Sequence, residues 1–257
     1  MPTAIADRRA RQTPPVEAPS VLDLIGNTPM VEIRRVTRDL PAGVTIYAKL
    51  EGFNPGGSVK DRAAYSMVQE GLKSGALRPG KTIIDSTSGN TGIALAMIGA
   101  VLGYPVELVM PDNVSVERKK IIAAFGAKIT FSSGLEGSDG AIRLCRTIYE
   151  PGRDRYFKPD QYNNEANSLA HFRTTGPEIW QQTTGRVTHF IAGLGTGGTL
   201  TGTGRRLREH NKDVRIVAAA PHPDDLIQGL RSLEDGYIPP VLDMSVDRKS
   251  TRLNSSH

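Results

Sequence analysis

The feature that most constrains the fold is the regular alternation of apolar strand patterns with helical patterns. Predicted strands lie at 30–33, 45–50, 83–85, 106–110, 128–131, 189–192 and 215–220. Predicted helices lie at 58–74, 91–102, 116–125, 138–149, 176–184 and 199–210. Parallel strands need long crossover connections, which helices usually supply, so this alternation predicts an α/β fold with parallel sheets. In such folds, ligands bind in loops at the carboxyl ends of the strands.

Two of the strand-to-helix connections consist of small residues. Residues 87–92 read TSGNTG and follow one predicted strand; residues 193–199 read GLGTGGT and follow another. Each segment opens a helix, whose first N–H groups lack partners within the helix and carry partial positive charge. Each therefore predicts a binding site for an anion.

A lysine follows a third loop of small residues. Residues 54–62 read NPGGSVKDR, and the apolar residues after them recur at helical spacing. Ser58 is a favourable N-cap, so Lys60 should lie in the first turn of a helix. Burial beside the positive end of a helix disfavours an ammonium, so we expect a lowered pKa for Lys60. A neutral amine can form a Schiff base with an aldehyde.

Together, the three motifs resemble the cysteine synthase family, which comprises O-acetylserine and O-phosphoserine sulfhydrylases. These are pyridoxal 5'-phosphate (PLP) enzymes of the tryptophan-synthase-β fold type, fold type II. The resemblance runs from LIGNTP at 24–29 to GYIP at 236–239. It implies two three-layer parallel-sheet subdomains with the cofactor in the cleft between them. The smaller, residues 54–160, would be inserted into the larger, residues 20–53 with 161–245.

The resemblance also implies a role for each motif. Lys60 is expected to be the catalytic residue and to form the internal aldimine with the cofactor. Asn90 is expected to hydrogen-bond the hydroxyl on the cofactor ring. The expected phosphate loop consists of Gly195, Thr196, Gly197, Gly198 and Thr199. The expected ligands of the substrate α-carboxylate are Thr87, Ser88, Gly89, Thr91 and Gln161. Arg231 would border the leaving group, where a guanidinium would favour a phosphate.

The implied reaction is a β-replacement, in which an O-activated serine and sulfide give L-cysteine. Lys60 would act as the general base that removes the α-proton. The sequence leaves open whether the leaving group is acetate or phosphate. A cystathionine β-synthase-like condensation of serine with homocysteine is the alternative. The implied partners are the small-molecule substrates, a second copy in a homodimer, and a serine acetyltransferase or sulfur-carrier protein.

Two other functions remain as remote alternatives. Gly193, Gly195 and Gly198 also satisfy the GxGxxG pattern of an NAD-dependent oxidoreductase. That pattern requires a ribose-binding acid about 20 residues further on. The strand at 215–220 is followed by Pro and His, with no acid before Asp224. The second alternative, a non-catalytic homologue, would have no need of the lysine together with both loops.

Composition argues against several further classes. The five histidines show no metal-ligand spacing, and the single cysteine, Cys145, lies in a helical stretch typical of core packing. The formal charge is +5, but residues 1–19 contribute +1 and residues 246–257 contribute +2, so the body gives no nucleic-acid signature. No apolar run could span a bilayer or serve as a secretory signal, so we expect a cytoplasmic protein without a membrane partner.

Both ends of the chain differ from the family pattern. Residues 1–19 are expected to form a flexible arm. Residues 246–257 read VDRKSTRLNSSH and look like a cloning or assembly join. Related chains continue with further helices and a Gly-x-Ser-Ser-Gly-like segment whose serine contacts the pyridine nitrogen. We therefore expect a longer natural gene, an incomplete larger subdomain, and impaired activity.

Overall fold

A computed structural model describes residues 18–87, 89–222, 227, 229–233, 237–246 and 251–253. The strands are β1 (Met30–Ile33), β2 (Ile46–Lys49), β3 (Thr82–Ser86), β4 (Val106–Pro111), β5 (Lys128–Ser132), β6 (Tyr156–Phe157), β7 (His189–Gly193), β8 (Arg215–Pro221) and β9 (Thr251–Leu253). The α-helices are α1 (Lys60–Lys73), α2 (Asn90–Leu102), α3 (Val116–Ala124), α4 (Gly137–Tyr149), α5 (Ala166–Arg173), α6 (Thr175–Gln182) and α7 (Gly198–His210). The α/β class predicted from the alternation is confirmed.

The first parallel sheet has the strand order β5-β4-β3-β6. Every residue of β4 is buried, as expected for a central strand covered on both faces. Ile83 and Leu108 pack with α2, whereas Ile84 and Val109 pack with Cys145 of α4. The carboxyl ends of β3 and β6 lie at one edge of this sheet and lead into residues 87–91 and Gln161.

The second parallel sheet has the order β7-β8-β9, and β1 and β2 form a separate antiparallel pair. The core beside the β7-β8-β9 sheet combines β8 with the apolar face of α7, through Ile216, Leu200 and Leu207. The loop between β7 and α7 is the predicted phosphate loop. This core is distinct from the cores of the first sheet, and that separation supports the two-subdomain division, which we keep as a proposal.

A buried ion network joins segments that are distant in sequence. The Arg62 side chain is 1% exposed, and its guanidinium donates to Glu51 from Nε at 2.7 Å and to Glu178 from Nη1 at 2.6 Å. Lys49 Nζ also pairs with Glu178 at 2.7 Å. Thr28 Oγ1 donates to Glu51 at 2.7 Å. The network therefore fixes α1 against α6 and the segment around β2, and so fixes the position from which Lys60 projects.

Among the described helices, none combines the length and the apolar content that crossing a membrane requires.

Candidate active site

Lys60 is the first residue of α1 and lies in its first turn, as predicted. The predicted N-cap, Ser58, is one residue too early: Val59 occupies the N-cap position with helical backbone angles and no side-chain cap. Ser58 Oγ still accepts the Lys60 N–H at 3.2 Å. Burial lowers the pKa of Lys60. Its ammonium has no hydrogen bond or ion pair with any residue that the structure describes. A half-buried amine without a counter-ion is suited to lose its proton.

Asp61 anchors the loop that leads to Lys60. Its side chain is fully buried, and its Oδ2 accepts the Gly56 N–H at 2.5 Å. Burial raises the pKa of Asp61 to about 6, and the nearby charge of Glu51 adds to the increase. A Cβ on Gly56 would lie 2.5 Å from Asp61 Oδ1, so this close approach requires glycine. The loop and the lysine are thereby held together.

The predicted substrate loop connects β3 to α2. Gly89 occupies the N-cap position of α2, and its N–H donates to Thr87 Oγ1 at 3.4 Å. Asn90 is exposed and Thr91 is buried. Ser88, also predicted to bind substrate, lies outside the described residues. The loop thus presents the amino end of an apolar helix together with the hydroxyls of Thr87 and Thr91 and the amide of Asn90.

Gln161 meets the substrate loop through a direct hydrogen bond. Thr91 Oγ1 donates to Gln161 Oε1 at 2.9 Å, although the two residues are 70 positions apart. The amide nitrogen of Gln161 has no hydrogen bond with a described residue. Two predicted carboxylate ligands therefore lie side by side, with an amide donor available.

The predicted phosphate loop has the geometry of an anion cradle. Gly197 has φ +85°, and a Cβ there would come within 2.7 Å of Leu242. A Cβ on Gly195 would lie 2.8 Å from the Gly229 carbonyl oxygen. Within the described structure, the N–H groups of Gly195, Thr196 and Gly197 have no hydrogen-bond acceptor. Unpaired donors at the amino end of α7 are what a phosphate group would satisfy.

Two residues of α5 that sequence reasoning missed support this loop. Asn167 donates to Thr196 Oγ1 at 2.9 Å. His171 is fully buried, with Nδ1 2.8 Å from Thr175 Oγ1 and Nε2 3.2 Å from Thr199 Oγ1. Burial, followed by the charge of Arg62, lowers the pKa of His171 to about 3, so the imidazole is neutral. Helix α5 packs against both α1, which begins at Lys60, and α7, which follows the phosphate loop.

Arg231 lies beside the site and stacks on two tyrosines. Its guanidinium carbon is 5.7 Å from the ring centroid of Tyr162 and 5.0 Å from that of Tyr237. Its backbone N–H donates to the Leu194 carbonyl at 2.7 Å, next to the phosphate loop. It forms no ion pair with a described residue. Arg231 thus places a positive charge without a described counter-ion over Tyr162, the residue after Gln161.

The site is built for acid–base and anion-binding chemistry. No group of His, Cys, Asp and Glu residues within the described ranges could hold a metal ion. Burial raises the pKa of Cys145 to about 12, so its thiol stays protonated in the core. The chemically active groups near the loops are therefore the amine of Lys60, the hydroxyls and amides of the loops, and the guanidinium of Arg231.

Asp85, two residues before the substrate loop, has a buried carboxylate of which only one oxygen accepts a hydrogen bond. Its Oδ1 accepts the Ser86 N–H at 2.8 Å, whereas Oδ2 has no hydrogen bond. Burial raises the pKa of Asp85 to about 6, although the charge of Lys158 opposes the shift. A raised pKa in the folded state means that this group's contribution to stability is present below pH about 4 and is lost as pH rises through about 6.

We therefore expect Asp85→Asn to increase the free energy of unfolding by about 1–3 kcal/mol at pH 8, with a gain that shrinks toward pH 4. Asparagine keeps the acceptor for the Ser86 N–H and removes the charge. Urea unfolding at both pH values measures the difference. The exposed Asp154→Asn is the control and should change little at either pH. An Asp85→Asn gain that is the same at pH 4 and pH 8 would contradict the explanation.

Comparison with known proteins gives consistent matches. Residues 21–248 match the family model described as pyridoxal-phosphate dependent enzyme. The chain is 53% identical over 238 residues to a cysteine synthase from Aquifex aeolicus, covering 92% of this chain and 71% of that protein. It is 48% identical over 222 residues to cysteine synthase B from Salmonella typhimurium, covering 86% of this chain and 72% of that protein.

A solved structure gives the same result. The chain matches a crystal structure of cysteine synthase from Entamoeba histolytica with a TM-score of 0.88 and 36% sequence identity. The match covers 99% of this chain and 76% of that one. The similarity therefore extends over nearly the whole fold and includes the three loops described above.

Proposed function

The chain belongs to the pyridoxal-phosphate dependent enzyme family, and we propose that it is a cysteine synthase, which makes L-cysteine from an O-activated serine and sulfide. The observation that carries the proposal is the position of α5. This helix packs against α1, which begins at Lys60, and it bonds both the phosphate loop, through His171, and the Gln161 backbone, through Asn167. The relatives named cysteine synthase support the reaction class. The NAD-dependent alternative has no support in these matches, and condensation with homocysteine is not favoured by them.

The residues present fit the cofactor. The unpaired N–H groups of residues 195–197 and the glycines that exclude side chains suit its phosphate. Asn90, exposed at the start of α2, is the proposed partner of the ring hydroxyl. When bound, PLP supplies an electron sink for the pair of electrons left at the substrate Cα.

Lys60 is the proposed base at the substrate Cα. Its Nζ can accept the Cα proton only when it is neutral, and burial favours the neutral form by lowering the pKa. The loop held by Asp61 fixes the helix end from which the amine projects. Loss of the activating group from Cβ and addition of sulfide at the same carbon would then complete the replacement.

Thr91 and Gln161 are the proposed ligands of the substrate carboxylate, together with Thr87, Ser88 and Gly89. The O–H of Thr91 now donates to Gln161, so a carboxylate would compete for that hydrogen. The free amide nitrogen of Gln161 offers a second donor. Held by these donors, the substrate would present its Cα proton to Lys60 in a fixed orientation.

The test of the proposed function is turnover by the purified protein loaded with PLP. O-acetylserine, O-phosphoserine and serine are supplied separately with sulfide, serine is also supplied with homocysteine, and L-cysteine and cystathionine are quantified. The proposal requires cysteine from at least one activated serine. Product only from serine with homocysteine would support the condensation, and no product from any combination would support a non-catalytic homologue.

Arg231 is proposed to favour a phosphate leaving group, because its guanidinium can bind phosphate bidentately and has no counter-ion here. Arg231→Ala is expected to raise the KM for O-phosphoserine about tenfold or more and the KM for O-acetylserine much less. Steady-state kinetics with both substrates measure the ratio. Arg186→Ala, an exposed arginine after α6, is the control. Equal changes for both substrates would leave Arg231 without a role in selection.

Partners and location also remain proposals. We infer that the protein acts on small-molecule substrates in the cytoplasm as a homodimer. A serine acetyltransferase or a sulfur-carrier protein is the proposed protein partner, depending on which activated serine is used. Molecular mass in solution by light scattering tests the dimer directly.

A further inference from the structure

We propose that Asn167 is a positioning residue that couples the carboxylate subsite to the phosphate loop through its two amide N–H groups. The inference rests on the proposed function, because the two subsites take their meaning from it. Asn167 lies in the first turn of α5 and is 3% exposed. The buried side chain of Asn167 therefore connects the segment at Gln161, proposed to bind the substrate carboxylate, with the loop at Thr196, proposed to bind the cofactor phosphate.

The two contacts use both donors of the amide. Asn167 Nδ2 donates to the Gln161 carbonyl oxygen at 2.8 Å and to Thr196 Oγ1 at 2.9 Å. An asparagine amide has two N–H groups, so both donors of Asn167 are used by these two hydrogen bonds. Because the amide is planar and rigid, the two acceptors are held at a fixed separation. A shift of Gln161 is thereby transmitted to Thr196.

On the phosphate side, Asn167 determines which way the hydroxyl of Thr196 donates. Thr196 Oγ1 accepts from Asn167 and also from the Gly198 N–H at 3.3 Å. With both lone pairs occupied, the hydroxyl hydrogen is free to donate to an anion in the loop. The fit is close, since a Cβ on Gly198 would lie 2.2 Å from Asn167 Oδ1.

On the carboxylate side, Asn167 holds the backbone of Gln161 while the side chain of Gln161 changes partner. Gln161 Oε1 accepts from Thr91 Oγ1, and a substrate carboxylate would take that hydroxyl. The turn before α5 is fixed separately, because Asn164 Oδ1 accepts the Ala166 N–H at 3.0 Å. Loss of Asn167 should therefore free Gln161 and Thr196 without unfolding the turn.

The experiment compares Asn167→Ala with Thr196→Val and Gln161→Ala in the full 257-residue chain. Two affinities are measured: that of PLP for the apoprotein, and that of L-alanine for the PLP-loaded protein. L-alanine has the α-carboxylate but no leaving group. Thr196→Val should weaken PLP binding alone, and Gln161→Ala should weaken L-alanine binding alone. Asn167→Ala should weaken both, each about tenfold, as expected for loss of one hydrogen bond to a charged group.

The double variant Asn167→Ala with Thr196→Val separates coupling from general damage. For PLP it should be no weaker than the poorer single variant, because both changes remove the same interaction. Asn167→Asp keeps the size of the side chain and should give the same two losses if Asn167→Ala fails to fold. The exposed Asn163→Ala is the control and should change neither affinity.

Two results would overturn the coupling. One is an Asn167→Ala protein that unfolds more easily but binds PLP and L-alanine as the wild type does. The other is a loss confined to one ligand. Failure of the proposed function itself gives a different result, since the wild-type chain would then bind PLP and L-alanine without forming cysteine from any activated serine, or would not bind PLP at all, whichever residue stands at 167.

Discussion

Replacing Lys60 with alanine should lower cysteine formation about a thousandfold or more, the largest effect of any single change. The variant would lose the amine that we propose bonds the cofactor aldehyde and then acts as the base at the substrate Cα. No other described group replaces it, because the nearby imidazole of His171 is buried, engaged at both nitrogens and neutral. Turnover with the better activated serine, and the visible absorbance of bound cofactor, measure the loss.

The control is Lys73→Ala, at the opposite, exposed end of α1. It removes a lysine from the same helix and should leave turnover and absorbance unchanged. Borohydride reduction followed by peptide mapping should place the cofactor on residue 60 in the wild type and on no lysine in Lys60→Ala. A labelled peptide from elsewhere in the variant would show that the assignment is wrong.

The sequence predicted the elements whose signals are local. The helix after Ser58 and the connections from β3 to α2 and from β7 to α7 each have an apolar period next to a run of small residues. Their boundaries lie within two residues of those predicted. The site motifs could be found for the same reason, since an anion-binding helix end is encoded in a few consecutive residues.

The sequence analysis did not predict β6 or α5, because neither has an apolar period next to a run of small residues. β6 has only two residues, and its register comes from pairing with β3. α5 reads ANSLAHFR, in which Asn167 and His171 are buried polar groups. Polar residues on an inward face break the apolar period on which a helix prediction depends. Their partners, Thr196 and Thr199, are 29 and 28 positions away, so the contacts become visible only when α5 packs on α7.

The role of Arg62 also depends on distant partners. The motif shows an arginine two residues after Lys60, whereas Glu178, which it contacts, is 116 positions further on. Burial alone would raise the pKa of Glu178, but hydrogen bonds from Arg62 and Lys49 outweigh it and hold the pKa at about 2. The same guanidinium keeps the pKa of Glu51 below its usual range despite burial. Arg62 therefore pairs with two partly buried carboxylates at once, and Lys49 supplies a second positive charge at Glu178.

We expect Arg62→Met to reduce the free energy of unfolding by about 3–5 kcal/mol at pH 7, because it leaves two partly buried carboxylates with fewer cationic partners. The carboxylates have lowered pKa values when folded, so their contribution is present above pH about 4.5 and is lost as pH falls toward 2. The penalty of the variant should therefore shrink at pH 4, where protonation relieves the unpaired charge. Urea unfolding at both pH values measures it.

Arg153→Met is the matched control, since Arg153 pairs with Glu150 on the surface with 62% of its side chain exposed. An exposed pair of this kind adds little to stability, because solvent and salt screen it. Similar losses for the two arginines, or a pH-independent penalty for Arg62→Met, would mean that its aliphatic packing matters more than its charge. A large and pH-dependent difference would instead establish that this ion network holds α1, and with it Lys60, against α6.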